Sequence, residues 1–350
     1  MRYLTVLAIV FLQALDSHAQ TAQTVTGTWT AELHNNRVYL QLRTAAPLDR
    51  GNGDWDGAWN MGQTMPVEDL GGLPANDERF TVSAIKLEMR REAGTVALDG
   101  AFREGQGAGL FSFTPRHEFP AEMKALGYTD ELPLWRRFQL AVHDVGPRYI
   151  RALKTEGFDT LSLDQIQRAR THGVTIDYIK AMKAEGYVLS SIEELVRTRD
   201  HGVTAEYVQS MRKAGFKDVP IADLVRAKDH GVNAEFVQEL RGHGIDPATL
   251  EGFVRLRDHG VNAEYVRALG ANGFKKVPLE EAVRAKDHGV SGDYIADMKN
   301  AGLKDLTLAE LVRLRDHGVT AQFVKDMRAR GLKDDTAGGL IHLKDHGGWR

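Results

Sequence analysis

The tripeptide Asp-His-Gly recurs through the carboxyl-terminal part of the chain at a constant interval of 29 residues. A fixed period of this length indicates stacked supersecondary units rather than a single irregular domain. Seven units fill residues 145–347 without an insertion, so the repeat dictates the fold of more than half of the chain. The histidines of this column are His201, His230, His259, His288, His317 and His346, and His172 and His143 continue it upstream.

Each unit is predicted to form two short helices. In the unit that follows His201, Thr204 is a helix N-cap and Gly215 supplies the left-handed residue that ends the first helix. The second helix carries its apolar residues at helical spacing, for example Leu224 and Val225. Because two short helices cannot bury an apolar face alone, we expect the units to stack into an α-solenoid. An interior ladder of Tyr or Phe is expected at positions 149, 178, 207, 236, 265, 294 and 323.

The segment before the repeats has a different pattern. Short alternating runs separated by glycine-containing turns predict an antiparallel, β-rich domain over residues 20–115. Residues 116–144 are interpreted as a degenerate capping helical unit, and residues 348–350 as a tail. The predicted fold is therefore α+β with two domains, a small antiparallel β domain followed by an α-solenoid of 29-residue helix-turn-helix repeats. The predicted strands are Thr26–Leu33, Arg37–Arg43, Thr81–Met89, Thr95–Phe102 and Gly109–Phe113.

The amino terminus has the pattern of a signal peptide. Arg2 precedes an apolar run from Leu4 to Leu15, and small residues stand at Ser17 and Ala19. We therefore expect residues 1–19 to be removed and the protein to be periplasmic or secreted, with an uncleaved anchor as the alternative. The apolar run is shorter than the roughly 20 residues that cross a bilayer, so no membrane span is expected in the mature chain.

The amino-acid composition excludes several kinds of chemical site and of partner. The chain has no cysteine, which excludes disulfides, thiolate metal sites and cysteine nucleophiles. Its formal charge of −3 is small for 350 residues, so nucleic acid is not an expected partner.

Two patterns suggest metal sites but favour structural roles. Packed helices lie about 8–10 Å apart, whereas zinc ligands lie about 2 Å from the ion, so successive histidines of the column cannot readily share a metal. We assign these histidines to helix ends, with His342 and His346 as a weaker candidate pair. Residues 52–57 begin like a calcium loop, but Gln63 stands where the bidentate glutamate belongs. Neither a metal nor a cofactor is expected.

An arginine column is the candidate binding site. At about 100° per residue, Arg226 lies away from the apolar face of its helix. A ladder of outward guanidinium groups could bind a repeating anionic ligand or an acidic partner. The alternative is that each arginine pairs with the aspartate three residues on, Asp229 in this unit, as ordinary surface charge. The candidate residues are Arg197, Arg226, Arg255, Arg284 and Arg313, and Arg168 extends the column upstream.

A family resemblance accompanies these patterns. The Gly27-Thr28-Trp29 strand, the Arg91 to Thr95 hairpin, the Gly105 to Gly109 turn and the Asp-His-Gly-Val repeats resemble the extracytoplasmic tail of BlaR1-like bacterial metallopeptidases and related secreted proteins. The resemblance implies a bacterial envelope protein linked to sensing. It does not imply proteolysis, because the chain has no His-Glu-x-x-His motif; His117-Glu118 is followed by no second histidine.

Three functional hypotheses follow from the sequence. The first is an exported, non-enzymatic binding or scaffold protein that recognises a protein or polymeric envelope ligand through the repeats. The second is a sensor component of a peptidase-linked envelope regulatory system. The third is a hydrolase in the β domain that uses Asp54, Asp56 or His34. No catalytic motif is evident, so we favour a protein that is not an enzyme.

Overall fold

A computed structural model describes residues 24–45, 59–73, 79–331 and 336–347 of the chain. Within these ranges a six-stranded antiparallel sheet precedes 16 helices in a repeating arrangement, which confirms the predicted α+β fold with helical repeats. The predicted signal peptide, the calcium-like loop and residues 348–350 lie outside the described ranges. The chain divides into two compact units, Met1–Thr155 with Leu161–Gln167 and Glu156–Thr160 with Arg168–Arg350.

The sheet has the strand order β3-β2-β1-β6-β5-β4. Alternate residues of β1 and β2 are buried and exposed, as expected for a sheet with one face in the core. Gly71, which follows β3, pairs with Glu88 of β4, so the chain bridges from one edge of the sheet to the other. The strands are β1 (Val25–His34), β2 (Arg37–Thr44), β3 (Asn60–Pro66), β4 (Val82–Arg91), β5 (Gly94–Arg103) and β6 (Gln106–Pro115).

Strand β3 was not predicted. Its sequence, Asn-Met-Gly-Gln-Thr-Met-Pro, contains a single β-branched residue, Thr64, and therefore has little intrinsic strand preference. The strand forms because it pairs along β2, where Met65 lies opposite Val38 and is buried. Pairing with a strongly predicted neighbour thus overrides the weak local preference.

Helix α2 (Leu134–Val142) covers the buried face of the sheet, and α1 (Phe119–Ala125) precedes it. Phe138 of α2 is fully buried and stacks on Phe111 with ring centroids 5.5 Å apart. Its ring also contacts Phe113 and Trp59, each at 5.3 Å. The residues that resemble a degenerate repeat therefore form the second layer of the β-domain core.

The remaining helices alternate between the first and second helix of each repeat. Second helices stack on second helices, as α8 does on α10, and first helices on first helices, as α9 does on α11, so the repeats form two layers. The first helices are α3 (Pro147–Thr155), α5 (Ile176–Ala184), α7 (Ala205–Lys213), α9 (Ala234–Gly242), α11 (Ala263–Ala271), α13 (Gly292–Asn300) and α15 (Ala321–Ala329). The second helices are α4 (Leu163–Thr171), α6 (Ile192–Asp200), α8 (Ile221–Asp229), α10 (Leu250–Asp258), α12 (Leu279–Asp287), α14 (Leu308–Asp316) and α16 (Ala337–His346).

The predicted caps form. Thr204 accepts a hydrogen bond from the Tyr207 amide, and the equivalent residue does the same at α5, α9, α11, α13 and α15. The amino ends of the second helices vary: α6, α10 and α14 begin after Ser191, Thr249 and Thr307, whereas α8 and α12 begin after Pro220 and Pro278. The aromatic ladder is buried at 149, 178, 207, 236, 265 and 294, as predicted, whereas Phe323 is only half-buried.

The Asp-His-Gly-Val element forms the corner between two helices. His230 is the C-cap of α8, and Gly231 follows with a φ of 69°, in the left-handed region that favours glycine. The Val232 amide donates to Ala227 at 2.8 Å and the Gly231 amide to Lys228 at 3.0 Å, which is the double hydrogen bond of a Schellman motif. Val232 is fully buried, so the same element ends one helix and anchors the next.

Replacing the side chain that joins α2 to the sheet tests this core. We expect Phe138→Ala to lower the free energy of unfolding by about 3–5 kcal/mol, because it leaves a cavity among three aromatic rings. Urea unfolding followed by tryptophan fluorescence measures the loss, since Trp59 contacts Phe138. The control is Tyr39→Ala on the exposed face of the sheet. A loss at Phe138 no larger than at Tyr39 would contradict this account of the core.

Candidate functional site

The arginine ladder lies on the second helices, and all five of its side chains are exposed. Arg226 donates to Glu251 at 2.8 and 3.0 Å, and Arg255 donates to Glu280 at 2.7 Å. Each carboxylate belongs to the first turn of the next second helix, and hydrogen bonding to Glu251 raises the pKa of Arg226. Two rungs of the ladder are therefore paired between repeats.

The other three rungs, Arg197, Arg284 and Arg313, have no such partner. Their side chains form no ion pair or hydrogen bond with any part of the chain that the structure describes. The position that supplies Glu251 and Glu280 is occupied there by Ala222, Ala309 and Gly338. Three exposed guanidinium groups thus remain available to an external anion.

The alternative in which the arginines pair with aspartates three residues on is wrong. Those aspartates instead accept a hydrogen bond from the histidine of the preceding repeat, as Asp258 does from His230 Nδ1. Each aspartate therefore pairs across the repeat boundary and not along its own helix. The six pairs, with N···O distances of 2.5–2.8 Å, are His172–Asp200, His201–Asp229, His230–Asp258, His259–Asp287, His288–Asp316 and His317–Asp345.

These histidine-aspartate pairs form a ladder of their own. A carboxylate only accepts hydrogen bonds, so Nδ1 of each imidazole carries a proton. Both partners are about 33–42% exposed, and each pair therefore contributes less than about 1 kcal/mol to stability. The histidine column consequently joins repeats, and these carboxylates bond to histidines rather than to the ladder arginines of their own helices. Among the described residues no group of three or more histidine or carboxylate side chains is arranged to hold a metal ion.

A second cationic column lies two residues after each ladder arginine. Its members lie 4.7–5.2 Å from the ring centroid of the aromatic residue on the first helix of the same repeat, in cation-π geometry. Where that aromatic is tyrosine, its hydroxyl donates to a valine carbonyl, as Tyr207 does to Val232 at 2.9 Å. This column therefore stabilises the repeat. Arginine and lysine alternate along it, as Arg199, Lys228, Arg257, Lys286, Arg315 and Lys344.

In most first helices a basic residue near the carboxyl end links that helix to the preceding repeat. Lys183 donates to the Glu156 carbonyl at 3.0 Å, and Arg212 donates to the Glu185 carbonyl at 2.8 Å. Arg241, Lys299 and Arg328 make the same link to Ala214, Asn272 and Ala301. Each acceptor is a carbonyl that the end of a helix leaves unpaired. In α11 this position is Gly270, so the link to the carbonyl of His243 is missing.

Of the proposed hydrolase residues, the structure describes only His34. It ends β1, where its Nε2 lies 2.7 Å from the side-chain amide of Asn35, and Asp54 and Asp56 lie outside the described residues. The rings of His342 and His346 stack at 4.6 Å, and His346 Nδ1 bonds to the His342 carbonyl. That nitrogen is therefore occupied within its own helix.

Comparison with known proteins gave no match, whether against protein-family profiles, curated proteins or solved structures. Within the described ranges, no helix has the length and hydrophobicity that crossing a membrane requires.

Filling the missing link in α11 should stabilise the repeats. We expect Gly270→Arg to raise the free energy of unfolding by about 1–2 kcal/mol, because arginine favours helix over glycine and can donate to the His243 carbonyl. A Cβ at this position meets no neighbouring atom. Thermal unfolding measures the gain, and Gly270→Ala isolates the helix preference. If arginine stabilises no more than alanine, the basic residues do not link the repeats.

We expect His143 to make the free energy of unfolding depend on pH. Burial, with a smaller effect of Arg136, lowers its pKa from 6.5 to about 4. The unfolded chain therefore binds more protons between these values, so folding stability is complete above pH 6.5 and declines as the pH falls toward 4. The decline attributable to this group is on the order of 2–3 kcal/mol. Urea unfolding between pH 4 and 7 measures it. His143→Gln should flatten the profile, and an unchanged profile would contradict the assignment.

Proposed function

We propose that this is an exported binding or scaffold protein, rather than an enzyme, that recognises an acidic protein or anionic polymer through the arginine ladder. The observation that carries the proposal is that Arg197, Arg284 and Arg313 are exposed and form no hydrogen bond or ion pair with the described residues. The aspartates three residues on bond to histidines, and the second cationic column lies on aromatic rings, so neither column forms an ion pair with these arginines.

The geometry of the repeats favours an extended ligand over a single small one. The ladder arginines recur at the same position of stacked second helices, so their guanidinium groups follow one another along the layer. A guanidinium group matches carboxylate and phosphate oxygens in a bidentate manner. One exposed contact contributes little, but several contacts made by one ligand add through effective concentration.

The proposal also includes the cellular location of the protein. The signal-peptide pattern of residues 1–19 supports export to the periplasm or the medium. The resemblance to the tails of BlaR1-like metallopeptidases supports a role beside an envelope sensor. In that setting the acidic surface of a regulator would be the ligand of the ladder.

Charge reversal on the ladder tests the proposal. The test variant is Arg197→Glu with Arg284→Glu and Arg313→Glu. The control is Lys180→Glu with Arg267→Glu and Lys325→Glu, which reverses three exposed charges on first helices. We expect the test variant to lose a crosslinked partner from the envelope fraction of the source cell, and to lose binding to poly-glutamate as a defined probe. The control variant should retain both, with circular dichroism confirming that all proteins are folded.

Two outcomes would contradict the ladder as the binding surface. One is an unchanged set of partners in the folded test variant, which would direct attention to the β domain. The other is equal loss in the test and control variants, which would indicate attraction to overall charge. Binding through the ladder should also weaken as salt is raised, because exposed charges are screened within about 10 Å at 0.1 M ionic strength.

A further inference from the structure

A separate groove of about 570 Å³ lies in the first compact unit, where the β4–β5 hairpin meets the start of α3. Its walls carry five arginines and three carboxylates. Two further carboxylates, Glu88 and Asp69, pair with Arg90 and Arg91, so positive and negative charges balance around the groove. The arginines are Arg90, Arg91, Arg116, Arg148 and Arg151. A volume of this size lies within the range of small-molecule sites.

The three carboxylates of the groove are all engaged. Glu122 accepts two hydrogen bonds from Arg116, at 2.9 and 2.5 Å. Asp144 lies 3.6 Å from Arg91 Nε, and Arg91 also pairs with Asp69 at 3.0 Å.

Glu92, the third carboxylate, accepts the Arg148 amide at 3.0 and 3.3 Å and so caps the amino end of α3. Gly146 permits this approach, because a Cβ there would lie 2.4 Å from Glu92 Oε2. The amino end of α3 is thus already neutralised, and an external anion must be bound by side chains.

Two arginine side chains remain unengaged. Arg148 and Arg151 are exposed, lie three residues apart on α3 and therefore project from the same side of the helix. Neither guanidinium forms an ion pair or hydrogen bond with any residue the structure describes. The charge of Arg151 reaches across the groove, since it adds to the effect of Arg116 in lowering the pKa of Glu122.

We propose that this groove binds a small ligand with a doubly charged oxyanion group, a phosphate or a pair of carboxylates, held between Arg148 and Arg151. Arg90, which pairs with Glu88, and Arg116, which pairs with Glu122, flank this position. The site differs from the arginine ladder in the type of ligand: the groove is compact and holds two free cations close together, whereas the ladder repeats single cations over several helices.

Titration of the mature protein with inorganic phosphate and with succinate tests the proposal and distinguishes the two ligand chemistries. We expect saturable binding of at least one probe by calorimetry at low salt. Arg148→Gln with Arg151→Gln should weaken that binding about tenfold or more, because each lost contact is a charge-assisted hydrogen bond. The matched control, Arg43→Gln with Arg103→Gln, removes two exposed arginines from the same unit and should bind as the unmodified protein does.

Either of two results would overturn the proposal. One is the absence of saturable binding of both probes by the unmodified protein. The other is an equal loss in the test and control variants, since the effect would then follow net charge and not position. Because all four arginines are exposed, the far-UV circular dichroism of both variants should match that of the unmodified protein, which establishes that a loss of binding is not a loss of fold.

Discussion

Burial between neighbouring repeats is the interaction on which the rest of the molecule depends. Each repeat helix but the last has nine residues, and isolated helices below about 12 residues are marginal in water. The helices therefore exist because their apolar faces, such as Leu224 and Val225 of α8, are covered by the next repeat. Because the helices are short, each repeat contains many helix ends for its length. Capping residues therefore make up a large share of each repeat.

Stacking also determines which charges can act on a ligand. Helix ends that meet across repeats bring His230 to Asp258 and Arg212 to the carbonyl of Glu185. Most of the charged columns are thereby used within the protein. The surface left for recognition is much smaller than the 27% of charged residues would indicate.

The sequence predicts those features that follow from local rules. Caps and glycine corners depend on residues within one repeat and form as expected, and so does the buried aromatic ladder except at Phe323. Strand β3 was missed because its residues lack strand preference and only the neighbour β2 holds it in place. The pairing of Asp258 with His230 was missed because helical spacing points to Arg255, three residues away, and says nothing of the adjoining repeat. The groove at Arg148 joins a hairpin to a helix distant in sequence, which no periodicity reveals.

The alternation of arginine and lysine along the second cationic column bears on how the number of repeats can change. From α6 to α14, arginine at this position occurs in helices that begin after serine or threonine, and lysine in helices that begin after proline. Two independent positions thus change together from one repeat to the next. The last second helix, α16, departs from this pattern, because it begins after Thr336 and carries Lys344. A chain that gained or lost one pair of repeats would keep the same kinds of contact between neighbouring repeats. The number of repeats can therefore change while the fold stays intact.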